Sequence, residues 1–291
     1  MSKELVILSG KGGTGKTSLC ASFAVLAGRS ILADCDVDAP DLHLLLSPRP
    51  KERHEFLAGW EVSIREEECT GCGLCSELCR FEAIEPSPGG AFHIVPLLCE
   101  GCRVCAHFCP ARAIDVTEAL CGQWLLSETR CGPMFHAHLE VPAENSGKLV
   151  TLLRQKAAAL AEELGGLNIL VDGPPGIGCP VIASVSGADV LLVVTEPTTS
   201  GLHDLERVLK LASHFGVPAS VCVNKWDLNP ELTEEIEKRT HQRGAEFAGR
   251  IRYDPAVTRA QMEQRAIVET DAPSAQDVRY VWEKLITQHD L

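Results

Sequence analysis

The 291-residue sequence has no apolar run long enough to cross a bilayer, which argues against a membrane-spanning helix. It is also short of positive charge: 27 Lys and Arg stand against 40 Asp and Glu, for a net charge of −13. That deficit argues against direct non-specific binding to nucleic acid or to an anionic membrane surface. The start, MSKELVILSGKGG, lacks the long apolar stretch and small-residue cleavage site of a secretory signal. A cytoplasmic location is therefore expected, where thiols stay reduced and disulfides are disfavoured.

Cysteine, by contrast, is abundant. Fourteen in a reducing compartment point to metal or redox chemistry. Eight lie between Cys69 and Cys109, and the other six (Cys20, Cys35, Cys121, Cys131, Cys179, Cys222) are scattered.

LVILS, residues 5–9, is an apolar run suited to a buried strand. Gly10-Lys11-Gly12-Gly13-Thr14-Gly15-Lys16-Thr17 follows and matches G-x-x-x-x-G-K-[ST]; Ser18 then opens a helical stretch that ends at Gly28. Strand, glycine loop and helix in that order make a phosphate-binding context. Glycines let backbone N–H groups close around phosphate oxygens, and the helix start adds positive potential. Lys16 is expected on the β- and γ-phosphates and the Thr17 hydroxyl on Mg²⁺.

Lys11 is not required by that general motif. KGGTGKT resembles the deviant Walker A of the MinD/ParA/Mrp/nitrogenase-iron-protein class of ATPases. The resemblance implies a dimer, of this chain with itself or with a paralogue, in which Lys11 reaches the partner's nucleotide. Lys11 and Lys16 would then stabilise charge on the transferring phosphoryl group. A solvated loop lysine is the plain alternative. SILADCDVDAPDL resembles the switch I segment of that class and supplies Asp34, Asp36 and Asp38. Asp36, then Asp38, are the candidates for orienting the attacking water, although Asp-Ala-Pro-Asp is also good turn and helix-start chemistry. LNILVDGPPGIG resembles a Walker B and switch II, with Asp172 on a Mg²⁺ water.

Asn224-Lys225-Trp226-Asp227 raises the choice of base. N-K-x-D lets GTPases read guanine through the Asp, whereas in the MinD-like class the Asn contacts adenine. The doubled lysine favours ATP, with Asn224 and Asp227 near the base. Strands and helices alternate along the chain. The expected fold is α/β, a mostly parallel sheet of P-loop NTPase type with sites at the carboxyl ends of the strands.

Cys69, Cys72, Cys75 and Cys79 form C-x₂-C-x₂-C-x₃-C, and Cys99, Cys102, Cys105 and Cys109 repeat it, with Pro110 completing the bacterial ferredoxin pattern. CRFEAIE echoes CPARAIDV, so the segment is an internal duplication. In this spacing three thiolates wrap one [4Fe–4S] cluster and the fourth reaches the other. One cluster takes Cys69, Cys72, Cys75 and Cys109; the second takes Cys99, Cys102, Cys105 and Cys79. Zinc is the alternative for C-x₂-C pairs. Arg80 stands where the first run would carry proline. The segment 61–118 has ten acidic and four basic side chains, a charge suited to basic docking partners. Residues 1–60 and 119–291 are thus expected to form the ATPase domain, interrupted at 61–118 by an α+β ferredoxin domain with two clusters. The whole chain resembles MinD-superfamily ATPases that contain an inserted ferredoxin domain.

Cys179 sits at an offset from Asp172 that holds a subunit-bridging cluster in nitrogenase iron protein, with Cys121 or Cys131 as second ligand. A buried apolar role is the plainer reading for it and for Cys20, Cys35 and Cys222. His136 and His138 share one side of a strand, a weak metal signal. The C-terminal SAQDVRYVWEKLITQHDL has helical spacing without the cationic face of a membrane-binding helix, so packing on the sheet is expected. Three functions fit: an ATPase coupling nucleotide state to electron transfer toward a redox partner, a cluster carrier serving an apo-protein acceptor, or a MinD/ParA-like spatial regulator with redox-sensing clusters.

Overall fold

The computed structural model describes residues 2–140 and 145–291. The chain opens with β1 (Glu4–Ser9), α1 (Lys16–Ala27), β2 (Ile31–Asp34) and α2 (Leu42–Leu46). β3 (Arg49–Ile64) leads into α3 (Leu74–Leu78), β4 (Ile84–Pro86), β5 (Phe92–Ile94) and α4 (Val104–Phe108), and β6 (Ile114–Thr129) leads out. β7 (Gly132–Leu139), α5 (Ser146–Glu163), β8 (Ile169–Pro175), α6 (Cys179–Val185), β9 (Val190–Thr195) and α7 (Thr199–Phe215) follow. β10 (Ala219–Asn224), α8 (Pro230–Gln242), β11 (Glu246–Ile251), α9 (Ala256–Met262) and α10 (Pro273–His289) complete it.

Internal contacts divide the chain into two units. One comprises the residues up to His54 together with Gly122–Leu291; the other is the continuous stretch Glu55–Cys121. The large sheet has the order β11-β10-β9-β1-β8-β2-β7-β6-β3. β1 lies parallel to β8 on one side and to β9 on the other. The central strands are near-continuous apolar runs, broken in β8 by Asp172 at the site, because helices cover both faces and a period of two would leave polar side chains buried. The expected mostly parallel α/β fold is present. The departure from it is β6, which pairs antiparallel with β7 from Gly122↔Leu139 to Thr129↔Gly132.

The core on the α1 side gathers Leu5, Ile7, Phe23, Leu32, Met134, Leu170 and Leu192. The C-terminal helix packs here as its spacing predicts: Val278, Val281 and Leu285 are buried, and Trp282 lies against Phe23 with ring centroids 5.1 Å apart. Among the described residues no helix is long and apolar enough to cross a membrane.

Candidate functional site

The glycine loop joins β1 to α1 at the carboxyl end of the parallel strands. Gly15 stands just before the helix at φ 90°, and a Cβ there would lie 2.4 Å from the Asn224 amide nitrogen. A Cβ on Gly10 would lie 2.3 Å from that of Asp204. A larger residue at Gly10 would press on the Asp204 backbone, and one at Gly15 would be strained by the left-handed φ. α1 has neither a side-chain cap nor an acidic residue in its first turn. Its first N–H groups thus lack a side-chain acceptor, as an anion-binding helix start requires. Gly12 and Gly13 are exposed, Thr17 is half-buried, and Ser18 accepts a hydrogen bond from Gln261 Nε2 at 2.8 Å.

Lys16 is buried and bonded to two acids. Its Nζ lies 2.9 Å from Asp172 Oδ1 and 3.1 Å from Asp36 Oδ2. β2 and β8 bring these groups to one level, because Asp34 is in register with Asp172. Burial alone would lower the Lys16 pKa, but the charges of Asp172 and then Asp36 outweigh it and raise it. Burial also holds the Asp36 carboxyl above its ordinary value, against the pull of Lys16. Asp34, fully buried and pushed up by burial and by Asp172, accepts the backbone N–H groups of Asp36 and Leu42. It shapes the loop. Asp38 is exposed.

Two buried oxygens beside this network, Asp172 Oδ2 and Thr14 Oγ1, have no hydrogen-bond partner. Orphaned buried acceptors of this kind call for water, an ion or a ligand. Among the described residues no group of three or more His, Cys, Asp or Glu converges on a single ion. A Mg²⁺ ion would accordingly draw part of its octahedron from waters and phosphates, which is its usual habit.

Lys11 Nζ lies 3.5 Å from Glu196 Oε2 and 3.3 Å from Thr198 Oγ1. Lys225 Nζ meets the same carboxylate at 2.5 Å. Glu196 was not singled out by sequence, although its place just after β9 is where such sites gather. Asn224 donates through Nδ2 to the Thr14 carbonyl at 2.8 Å and so braces the glycine loop. Asp227 accepts the Tyr253 backbone N–H at 2.7 Å, a loop-fixing bond that guanine reading would compete with.

The Glu55–Cys121 unit repeats itself at an interval of thirty residues, as from Cys69 to Cys99. Its left-handed residues match in pairs: Gly71 with Gly101, Gly73 with Arg103, and Glu82 with Arg112. The halves also exchange backbone bonds, Arg65 N–H to the Ala113 carbonyl and Val95 N–H to the Ala83 carbonyl, both at 2.8 Å. One small cavity is bordered by Cys69, Cys72, Cys75 and Cys109. Another is bordered by Cys79, Cys99, Cys102 and Cys105. Each therefore takes three cysteines from one repeat and one from the other.

All fourteen cysteines are free thiols. Cys20, Cys35, Cys131 and Cys222 are buried and Cys179 is exposed at the start of α6. His136 is half-buried and bonded through Nε2 to Ser127 Oγ at 2.8 Å, while His138 is exposed.

Burial, and next the charge of His43, lowers the His136 pKa to about 4. Because the neutral form is favoured in the fold, His136 contributes stability that is complete above pH 6.5 and lost as pH falls toward about 4. The loss is at most on the order of 3 kcal/mol. A His136→Asn chain should show a shallower fall in melting temperature between pH 7 and 4.5; equal falls would remove His136 as the cause.

The comparisons with known proteins fit this geometry. Residues 5–267 match the CbiA family model, described as CobQ/CobB/MinD/ParA nucleotide binding domain. The chain belongs to this family. An uncharacterized protein of Methanocaldococcus jannaschii is 36% identical over 230 residues, covering 78% of this chain and 79% of that one. MinD in the MinC:MinD cell division complex of Aquifex aeolicus superposes with a TM-score of 0.58 at 20% identity, over 98% of this chain and 96% of that one. The septum site-determining protein MinD of Pyrococcus horikoshii, complexed with Mg-ADP, gives 0.57 at 17% identity over 98% and 96%. These structures establish the P-loop fold, and the MinD and ParA members of the family are ATPases.

Proposed function

We propose that this chain is a Mg²⁺-ATP-dependent nucleotide switch that also holds two [4Fe–4S] clusters and couples the state of the first site to electron transfer by the second. The observation that carries the reading is the pair of cavities, each bordered by four cysteines in the crossed sets that the ferredoxin spacing requires. The reciprocal backbone bonds between repeats support the same pairing. Each set of four thiols borders one cavity, and four thiolates are the ligand set that such a cluster takes. Such clusters would supply one-electron chemistry.

At the other site Lys16 exchanges its two carboxylates for the β- and γ-phosphates. That release would free Asp172 and Thr17 to help hold Mg²⁺, which would neutralise phosphate charge, and would free Asp36 to orient the attacking water. Asn224 and Asp227 border the base. Lys11 leaves Glu196 to reach the nucleotide of a second subunit, a copy or a paralogue. The Asp36–Asp38 segment runs through α2 into β3, so the ATP-sensing loop and the cysteine unit are neighbours in sequence. The MinD-like fold favours a second reading, a partner-binding positional switch in which the clusters sense redox state.

Anaerobic reconstitution tests the first reading. About eight iron atoms per chain are expected, with a reduction potential that differs between ATP and ADP. Zinc in place of iron would end the cluster assignment. Iron with a potential indifferent to nucleotide would leave the positional switch.

A further inference from the structure

Three neighbouring strands deliver one carboxylate between two lysines. β1 lies beside β9 and β9 beside β10, with Thr195 in register with Val223. Glu196 follows β9 and Lys225 follows β10, so both leave the sheet close to the glycine loop that follows β1. The turn from β9 into α7 is tight. A Cβ on Gly201 would lie 2.4 Å from the Glu196 carbonyl oxygen and 2.9 Å from Thr198 Oγ1. Glycine at that position lets the turn bring Glu196 and Thr198 within reach of Lys11.

The two lysines do not hold Glu196 equally. Lys225 Nζ is 2.5 Å from Oε1, whereas Lys11 Nζ is 3.5 Å from Oε2. The Glu196 side chain is 15% exposed, against 32% for Lys11 and 31% for Lys225. A carboxylate so far buried needs a cation, and Lys225 alone supplies one. Lys11 is thus the surplus partner, and the two ammonium groups repel each other across the acid they share. Only the Lys11 side chain is loosely held, because Ser9 Oγ donates to its carbonyl at 2.8 Å.

Lys225 takes a strained backbone to stand there. Its φ is 56°, a left-handed value costly for a residue with a side chain, and its N–H donates to Asn224 Oδ1 at 3.0 Å. Asn224 donates in turn to the Thr14 carbonyl. The contacts form a closed circuit from Lys11 through Glu196, Lys225 and Asn224 to Thr14, and so grip both ends of the glycine loop.

We propose that Lys225 is a positioning residue for ATP hydrolysis: it keeps Glu196 neutralised, so that Lys11 can leave for the nucleotide of a second copy of this chain without stranding a buried carboxylate. The proposal rests on the reading that Lys11 acts across a dimer. Lys225 then serves the exchange of an ion pair and not recognition of the base. No covalent bond changes in this step.

The test follows ATP hydrolysis by the full iron-replete chain, and its self-association by sedimentation with a slowly hydrolysed ATP analogue. In a Lys225→Gln chain Lys11 becomes the only cation on Glu196. Its association constant and kcat are expected to fall about fivefold, the scale of a partly exposed ion pair. The affinity of the dilute single chain for Mg²⁺-ATP should be unchanged. A Lys225→Arg chain keeps the charge and should match the parent. Adding Glu196→Gln to Lys225→Gln removes the tether and should restore association and kcat, a recovery that a merely structural lysine would not allow. A Lys225→Gln chain equal to the parent overturns the proposal. So does a loss of ATP affinity that accounts for the lost turnover, or a double variant as impaired as the single one. A Lys11→Ala chain tests the underlying reading separately. If it associates and turns over like the parent, or if the parent does not self-associate, the dimer reading fails and this proposal with it.

Discussion

A Lys16→Ala chain is expected to lose Mg²⁺-ATP binding and to be less stable than the parent even without nucleotide. Lys16 lies between Asp172 and Asp36, and its removal leaves both carboxylates buried without their cation. Breaking a buried ion pair from one side costs about 3–5 kcal/mol. The penalty depends on pH in a defined sense. A buried carboxyl without its cation has a folded pKa above its unfolded value, so its protonated form fits the fold. Stability is then greatest below the unfolded pKa and falls as pH rises through the folded one. Urea titrations at pH 5 and pH 8 should show a larger deficit at pH 8. Saturating Mg²⁺-ATP should stabilise the parent by about 2.7 kcal/mol at a hundred times Kd and leave the variant unmoved. A variant as stable as the parent at pH 8 would show that Lys16 does not neutralise these acids in the free protein.

Pairwise cysteine removal should separate crossed from sequential ligand sets. Cys72 and Cys109 border one cavity, whereas Cys79 borders the other. A Cys72→Ala/Cys109→Ala chain should therefore keep about half its iron, since both changes strike one cluster. A Cys72→Ala/Cys79→Ala chain should lose nearly all of it, although those residues stand in the same run. Sequential sets would give the reverse result. Iron and sulfide per chain, with visible absorption, decide the matter without any assay of turnover.

Much of this was legible in the sequence because the chemistry is local. The glycine loop follows from the backbone a phosphate grip needs, and the repeat spacing of the cysteines anticipates their grouping by fours around two cavities. What escaped depends on distant pairings. Nothing near Glu196 announces that it meets Lys11 and Lys225, since β9 and β10 must first align beside β1. Asp34 read only as a member of the acid cluster behind Asp36 and Asp38, yet its burial and its bonds to Asp36 and Leu42 give it a structural task. The β6–β7 hairpin was missed because its apolar positions also suit a parallel strand. His136 gave a metal signal at the level of sequence, but it is held by Ser127.

The sheet order also bears on how the chain is made. β1 aligns with β8 through pairs such as Glu4↔Ile169, so the centre of the sheet cannot close until the ribosome has released β8. Glu55–Cys121 is one uninterrupted stretch and leaves the tunnel long before that. Contacts near in sequence form faster than remote ones, and early stretches fold first during synthesis. Folding of the Glu55–Cys121 stretch can therefore precede completion of the phosphate pocket, and a ribosome stalled before residue 169 would already present all eight of its paired-run cysteines.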